Sequence, residues 1–166
     1  MKSFLKLAGC LICLGLVSGC KNAIGNDEVA INANINGIVN IKENGKEYKA
    51  NLVCTPEGRS SFTFTEPENL VGLNFIWDGD KYEISRENLK GEFNLDPFSK
   101  DSFASVIVNV LAALRDPKNV NLGENNEDGK IYEGEINSIK FRVGIDKSGK
   151  VIFVEIPDKD LFASFE

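Results

Sequence analysis

The stretch DSFASVIVNVLAALRDP, residues 101–117, decides the fold because its apolar residues follow a different period from the rest of the chain. They recur every three or four positions, which is the spacing of one face of an α-helix. The residues on that face are Phe103, Val106, Ile107, Val110, Leu111 and Leu114. The spacing predicts a helix over 101–116 that is capped by Ser99 or Asp101 and ended by Pro117.

The other faces of this predicted helix are apolar as well. They carry Ala104, Val108, Ala112 and Ala113. A helix that is apolar nearly all round is normally covered on most of its sides. We therefore expect this helix to lie in the interior of the domain and not on its surface.

On both sides of the helix, apolar and polar residues alternate, which is the period of a β-strand with one buried face. In the first such segment one face carries Ile31, Ala33, Ile35, Val39 and Ile41. Asn44 and Gly45 then predict a type I′ hairpin turn into a return strand over 48–55. The pattern continues to residue 95 and resumes over 131–156, which gives about eight antiparallel strands.

These elements predict a mainly β (α+β) fold, with a single β-rich domain over 29–166. A sheet with one apolar face must cover that face. The economical arrangement is a curved antiparallel sheet, a half-open β-barrel wrapped around the one apolar helix. The alternative is a two-layer α+β sheet with the helix lying across it. The tail after Pro157, with Leu161, Phe162 and Phe165, is expected to cover an edge of the sheet.

The amino-terminal segment has the features of an export signal. Lys2 and Lys6 precede an apolar run over residues 7–17. A helix over that run reaches about 16 Å, roughly half of a ~30 Å hydrocarbon core, so it is too short to span a membrane. We interpret residues 1–19 as a signal peptide.

The end of this segment, Val17, Ser18, Gly19 and Cys20, resembles the lipobox of bacterial lipoproteins. The resemblance implies that the Cys20 thiol receives a diacylglyceryl group and that the new amino terminus is acylated as well, with palmitate as a typical chain. Residues 20–28 would then be a lipid anchor and short tether that hold the domain at the cell membrane, on its extracytoplasmic side. The alternative is plain secretion, with Cys20 as a bystander.

The cysteine count agrees with an anchored domain that lacks disulfides. Of the four cysteines, Cys10 and Cys13 leave with the signal peptide and Cys20 is acylated, so only Cys54 remains. One thiol cannot form an internal disulfide. Because Cys54 alternates with apolar residues of its predicted strand, we expect it to be a small buried hydrophobe.

Composition argues against several classes of function. The formal net charge is −6, which disfavours nucleic-acid binding. The chain has no histidine, which excludes Ser-His-Asp and Cys-His catalysis and removes the commonest metal ligand. No carboxylate pair stands in a recognisable catalytic signature, so we expect neither enzymatic activity nor a cofactor.

Residues 124–135 partly match the calcium loop of an EF-hand. Asn126, Asp128, Gly129 and Glu135 occupy ligand or turn positions of that motif. However, Glu124 replaces the usual Asp at the first position, and extended segments flank the loop where helices are required. We interpret the segment as the tip of a hairpin and predict no metal site.

The candidate ligand-binding residues are large apolar side chains expected on the inner faces of the strands and on the helix. They are Phe62, Phe64, Phe75, Trp77, Phe93, Phe103, Ile107, Leu111 and Phe141. Such residues are most often ordinary core. The functional hypothesis is that a half-open barrel around one helix leaves an apolar cavity suited to an acyl chain.

The order of elements resembles that of the LolA/LolB superfamily of lipoprotein carriers. Mycobacterial lipid-binding lipoproteins belong to the same structural group. The resemblance rests on the predicted anchor at Cys20, the segment TFTEPENLVGLNFIWDGDKYEIS (63–85), the helix and the strands that follow it. It implies a half-barrel with a helical lid that holds acyl chains. The soluble carriers are not anchored and have several lid helices, so the resemblance transfers no individual functional residue.

Two hypotheses of function follow. The first is a membrane-anchored, non-enzymatic binding protein for a lipid, an acyl chain or an acylated protein, acting between the concave sheet and the helix. The alternative is a surface interaction or assembly lipoprotein with a filled core and no ligand.

Overall fold

The structure is a computed structural model that describes residues 31–78, 81–94, 102–125, 127 and 129–166. The predicted signal peptide over 1–19, the anchor Cys20 and the tether lie outside the described residues, so these remain predictions. Asn126 and Asp128 of the calcium-like segment and the predicted cap residues Ser99 and Asp101 lie outside as well.

The described residues form one antiparallel sheet of eleven strands. The first six strands are β1 (Ile35–Glu43), β2 (Lys46–Cys54), β3 (Ser60–Glu66), β4 (Asn74–Trp77), β5 (Lys81–Arg86) and β6 (Leu89–Asn94). The other five are β7 (Val120–Asn125), β8 (Gly129–Ile136), β9 (Ile139–Asp146), β10 (Val151–Ile156) and β11 (Leu161–Phe165). Between the two groups lies the helix α1 (Phe103–Ala113).

The order across the sheet is β6-β5-β4-β3-β2-β1-β11-β10-β9-β8-β7. Each group of strands is a meander, and the two meanders join where β1 pairs with β11, for example at Val39 and Phe165. The sheet is open, with β6 and β7 at its edges. Because α1 follows β6 and precedes β7, it is the connection between the two edges. The prediction of a curved, open antiparallel sheet with one helix is confirmed.

Two details of the predicted sheet are wrong. The pattern predicts about eight strands, whereas the described residues form eleven. The tail, expected to cover an edge, is β11 and lies in the middle of the sheet between β1 and β10. Its inward residues Leu161, Ala163 and Phe165 are buried, but five residues are too few for their alternation to reveal which strands they pair with.

The predicted hairpins and faces are largely observed. Asn44 and Gly45 both have positive φ, 49° and 74°, as the type I′ turn between β1 and β2 requires. On the predicted inner face Ala33, Ile35, Val39 and Ile41 are buried. The segment that resembles a calcium loop joins two paired strands, β7 and β8, which confirms its interpretation as a hairpin.

The helix is shorter than predicted at both ends. Its N-cap is Ser102, whose Oγ accepts a hydrogen bond from the backbone N–H of Ser105. The expected caps, Ser99 and Asp101, are therefore wrong. Seven of its residues are buried: Ser105, Val106, Ile107, Val108, Val110, Leu111 and Ala113. The prediction that the helix is covered on most sides is confirmed.

The helix lies along β2. Near its amino-terminal end the ring of Phe103 stacks on Tyr48, close to the start of β2. Beyond its carboxyl-terminal end the guanidinium of Arg115 donates a hydrogen bond to the carbonyl oxygen of Thr55, which directly follows β2. The described buried core is one cluster whose members fall between Ala33 and Phe165. A chain that begins at Lys21 therefore retains every contact of the described core.

Candidate functional site beneath the helix

The candidate site is the space between the first half of α1 and the inner faces of β3, β4 and β5. A small cavity of about 10 Å³ remains there. Its walls are Ser60, Phe62, Phe75, Trp77, Tyr82, Ala104, Ser105 and Val108. This volume accommodates about one water molecule.

An aromatic cluster borders this cavity and fixes the start of α1. Phe64 meets both Phe75 and Phe103 edge to face, with ring centroids 5.9 Å apart in each pair. Phe103 also stacks on Tyr48 with the ring centroids 4.9 Å apart. These contacts join the first turn of α1 to β2, β3 and β4 by apolar surface.

Polar groups also lie at this cavity. The hydroxyl of Tyr82 on β5 is 2.5 Å from Oγ of Ser105 on α1. Ser102 Oγ donates to Ser105 Oγ at 3.0 Å. The ring of Trp77 stacks on that of Tyr82, with centroids 6.2 Å apart, and Trp77 Nε1 is buried with no hydrogen-bond partner among the described residues.

Cys54 lies next to this site, in the core. Burial raises the pKa of its thiol, while a hydrogen bond from Ser60 Oγ to Sγ at 3.3 Å and the charge of Arg115 lower the pKa less strongly. Cys54 is 3% exposed, so the prediction of a buried thiol is confirmed. A thiol in such surroundings is not an activated nucleophile.

The structure separates the nine predicted ligand-binding residues into groups. Phe62, Phe75 and Trp77 line the cavity, and Phe64 and Phe103 belong to the aromatic cluster beside it. Ile107 and Leu111 are fully buried on α1 without lining the cavity.

The remaining two predicted residues do not line the cavity. Phe93 is 38% exposed on the edge strand β6, although it lies opposite Tyr82 in the strand pair. An edge strand has a neighbour on one side only, which explains this exposure. Phe141 on β9 is buried against Gly134 of β8, where an added Cβ would lie 2.4 Å from its ring.

Sequence reasoning missed the hydroxyl-bearing part of the site. Ser60, Tyr82 and Ser105 are not among the predicted residues, because the ligand hypothesis selects apolar side chains. Tyr82 could have been found from its pairing with Trp77 across the β4–β5 hairpin. The approach of Ser105 to Tyr82 joins residues 23 positions apart and has no signal in the local pattern.

Beneath α1 the described residues leave no cavity large enough for an acyl chain. The inward side chains of α1, among them Ile107, Val110 and Leu111, are 0–1% exposed and fill the concave face of the sheet. In the described structure the helix is therefore closed over the concave face of the sheet.

The lining of the cavity is uncharged. Its described walls contain no Asp, Glu, Lys or Arg. Within the described ranges no three potential metal ligands of the types Cys, Asp and Glu come together. Among the helices in the described part of the chain, none has the length and apolarity to cross a membrane.

Comparisons with known proteins give matches of shape only. No protein-family model matches the chain, and no curated protein matches it in sequence. An uncharacterized conserved protein from Thermus thermophilus superposes with a TM-score of 0.46 at 10% identity, over 79% of this chain and 77% of that one.

Two further solved structures are similar in shape. A LolA superfamily protein from Nitrosomonas europaea gives a TM-score of 0.40 at 12% identity, over 81% of this chain and 70% of that one. A provisionally assigned outer membrane lipoprotein-sorting protein domain from Vibrio parahaemolyticus gives 0.36 at 12% identity, over 76% and 65%. At these TM-scores the likenesses assign neither a family nor a ligand.

Proposed function

We propose that this chain is a membrane-anchored, non-enzymatic binding protein for an apolar ligand, either a lipid or the acyl chain of an acylated protein. In this proposal α1 occupies the ligand's place in the closed form and moves aside when the ligand enters. The observation that carries the proposal is topological. The helix is the connection between the two edge strands, β6 and β7, of an open sheet.

This position lets α1 move without damage to the sheet. The described backbone hydrogen bonds of the helix run within it and into its own flanking turns, such as those from Val106 to Ser102 and from Leu114 to Val110. The contacts between α1 and the strands are side-chain contacts. Displacement of the helix would therefore leave every strand pair of the sheet intact.

An acyl chain could compensate for the apolar contacts that the helix gives up. Burial of a methylene contributes about 0.8 kcal/mol, and burial of a whole aliphatic side chain about 1.5–3 kcal/mol. A chain of some sixteen carbons thus gains about as much as four or more helix side chains lose. The closed and ligand-filled forms can then be close in free energy, as a carrier requires.

The location is part of the same proposal. The lipobox-like residues that end in Cys20 support acylation and attachment to the extracytoplasmic side of the cell membrane. A single acyl chain binds a membrane only marginally, whereas two or three hold a protein stably. Loss of the signal peptide removes Lys2 and Lys6 and no acidic residue, so the formal charge changes from −6 to −8. The protein would therefore depend on these chains and not on its surface for attachment.

A second candidate is favoured by the size of the cavity. Space for about one water molecule is what a filled-core interaction or assembly protein would have. In that case α1 is a permanent part of the core, and the protein acts through its outer surface.

Native mass spectrometry distinguishes the two candidates. Residues 21–166 are expressed in a bacterial host and purified without detergent. The proposal predicts an additional mass that is lost on organic extraction and is identified as lipid. A folded protein that carries no such mass, and takes up none after incubation with lipid vesicles, would favour the filled-core candidate.

A further inference from the structure

Three hydroxyl groups beside the cavity are linked by two hydrogen bonds, and one of their three protons takes part in neither bond. Ser102 Oγ donates to Ser105 Oγ, and a single proton is shared between Ser105 Oγ and the Tyr82 hydroxyl. If Ser105 donates to Tyr82, the Tyr82 proton remains; if Tyr82 donates, the Ser105 proton remains. Among the described residues, one hydroxyl proton at the cavity wall therefore has no acceptor in either arrangement.

Trp77 supplies a second hydrogen-bond donor without an acceptor at the same cavity. An indole N–H can only donate, and Trp77 Nε1 is buried without a partner within the described part of the chain. Leaving a buried donor unpaired costs about 1–3 kcal/mol. Trp77 and Tyr82 both line the cavity and stack on each other with their planes 14° apart.

No cationic side chain is among the described residues that line the cavity with these two donors. The walls of the cavity in the described structure are apolar or hydroxyl-bearing. An ionised carboxylate or phosphate buried there would lose its hydration without gaining a counter-charge, which is strongly unfavourable. A neutral acceptor meets both donors without that penalty.

We infer that the cavity formed by Trp77, Tyr82 and Ser105 is a polar subsite that takes the carbonyl oxygen of an uncharged acyl ester. This inference rests on the proposed function and specifies the head of its ligand. The carbonyl oxygen occupies the space of about one water molecule, which is the volume available. The start of α1, with Phe103 and Ser105, stays attached to the sheet through the aromatic cluster. The acyl chain then extends along the groove that the rest of the helix vacates, so the subsite selects acyl esters over ionised fatty acids.

The test uses three ligands of nearly equal length and different heads. They are methyl dodecanoate, ionised dodecanoate at pH 8, and tetradecane. Each is titrated into residues 21–166, and binding is followed by the fluorescence of Trp77, which is the one tryptophan of the chain. We expect the ester to bind at least about tenfold more tightly than the carboxylate, because the carboxylate is buried without a cation.

Variants assign this preference to the subsite. The double variant Tyr82→Phe with Ser105→Ala removes both hydroxyls and should weaken binding of methyl dodecanoate by about fivefold, which corresponds to one neutral hydrogen bond. Each single variant leaves the other hydroxyl free to donate and should weaken binding by less than about twofold. All three variants should leave tetradecane binding unchanged within about twofold, since an alkane makes no hydrogen bond. Tyr132→Phe removes a hydroxyl from β8, which does not line the cavity, and should alter neither affinity.

The outcomes separate this inference from the proposed function. If the ester, the carboxylate and the alkane bind equally, or if the variants weaken ester and alkane alike, the subsite is wrong while ligand binding stands. If none of the three binds, the proposed function itself is wrong. Free glycerides and acylated cysteine both carry diacylglyceryl esters. Comparing dioctanoylglycerol with S-dioctanoylglyceryl-N-acetylcysteine amide distinguishes these two sources.

Discussion

The ring of Phe103 in α1 stacks on the ring of Tyr48 in β2, with their centroids 4.9 Å apart and their planes at 30°. Phe103 also meets Phe64 edge to face. At the other end of the helix, Arg115 donates a hydrogen bond to the carbonyl oxygen of Thr55. The helix is thus attached to the sheet near both of its ends by side chains, while its middle is held by apolar packing.

The first prediction concerns the aromatic attachment. Phe103→Ala should lower the free energy of unfolding by about 2 kcal/mol, less than the ~3–5 kcal/mol of a fully buried phenylalanine, because Phe103 is only partly buried. Chemical denaturation measures this change. Phe162→Ala is the control, since Phe162 is 40% exposed and stacks on Phe153, away from α1. An equal loss of stability in both variants would contradict the role given to Phe103.

The second prediction concerns the packing in the middle of the helix. Ile107 is fully buried, so Ile107→Ala should lower the free energy of unfolding by about 2–5 kcal/mol. The matched control is Ile152→Ala on β10, where Ile152 is 37% exposed and the cost should stay below about 1 kcal/mol. Thermal and denaturant unfolding of the two variants give the comparison. Equal costs would show that α1 does not carry the core of the domain.

The third prediction concerns the Cys54 thiol. Burial raises its pKa above the ordinary value of 9.0. Since the folded thiol resists ionisation, its contribution to stability is fully present below the ordinary pKa of 9.0 and decreases as the pH rises through that value. In residues 21–166, where Cys54 is the one cysteine, alkylation by iodoacetamide at pH 8 should be at least about tenfold slower in the folded protein than in guanidinium chloride. Equal rates would mean that the thiol is accessible.

The fourth prediction concerns the anchor. When the full chain is produced in bacteria supplied with labelled palmitate, we expect label on the protein and recovery in the membrane fraction. Cys20→Ala removes the thiol that would form the thioether, so both label and membrane recovery should be lost. Cys54→Ala is the control and should retain both, because Cys54 is buried in the core. Membrane recovery of the Cys20→Ala variant without label would contradict acylation at this residue.

The sequence correctly predicted the features that depend on how often apolar residues recur within one helix or strand. The alternation of Val39 and Ile41 with asparagine and lysine identified β1, and the spacing of Val106, Val110 and Leu111 identified α1. These patterns depend on which side of an element is buried, which neighbouring residues reveal. The curved sheet around a covered helix followed from the same reasoning.

Features that depend on contacts between residues far apart in the sequence could not be predicted from the local sequence pattern. The pairing of β11 with β1 joins Phe165 to Val39, across nearly the whole chain, and nothing in the tail indicates its partner. The contact of Ser105 with Tyr82 is of the same kind. The volume left beneath α1 depends on how all the inward side chains interdigitate, so a row of phenylalanines could not tell a filled core from a cavity.

The most direct test of the proposed function is hydrogen exchange of the α1 amides, measured by mass spectrometry on residues 21–166 with and without bound lipid. If α1 moves aside while the sheet persists, its amides should exchange through an opening of lower free energy than that of β1, β2 and β11. Added dioctanoylglycerol should change exchange in α1 and leave these central strands unchanged. If α1 exchanges only with global unfolding, and lipid has no effect on it, the helix is a fixed part of the core and the proposed function is wrong.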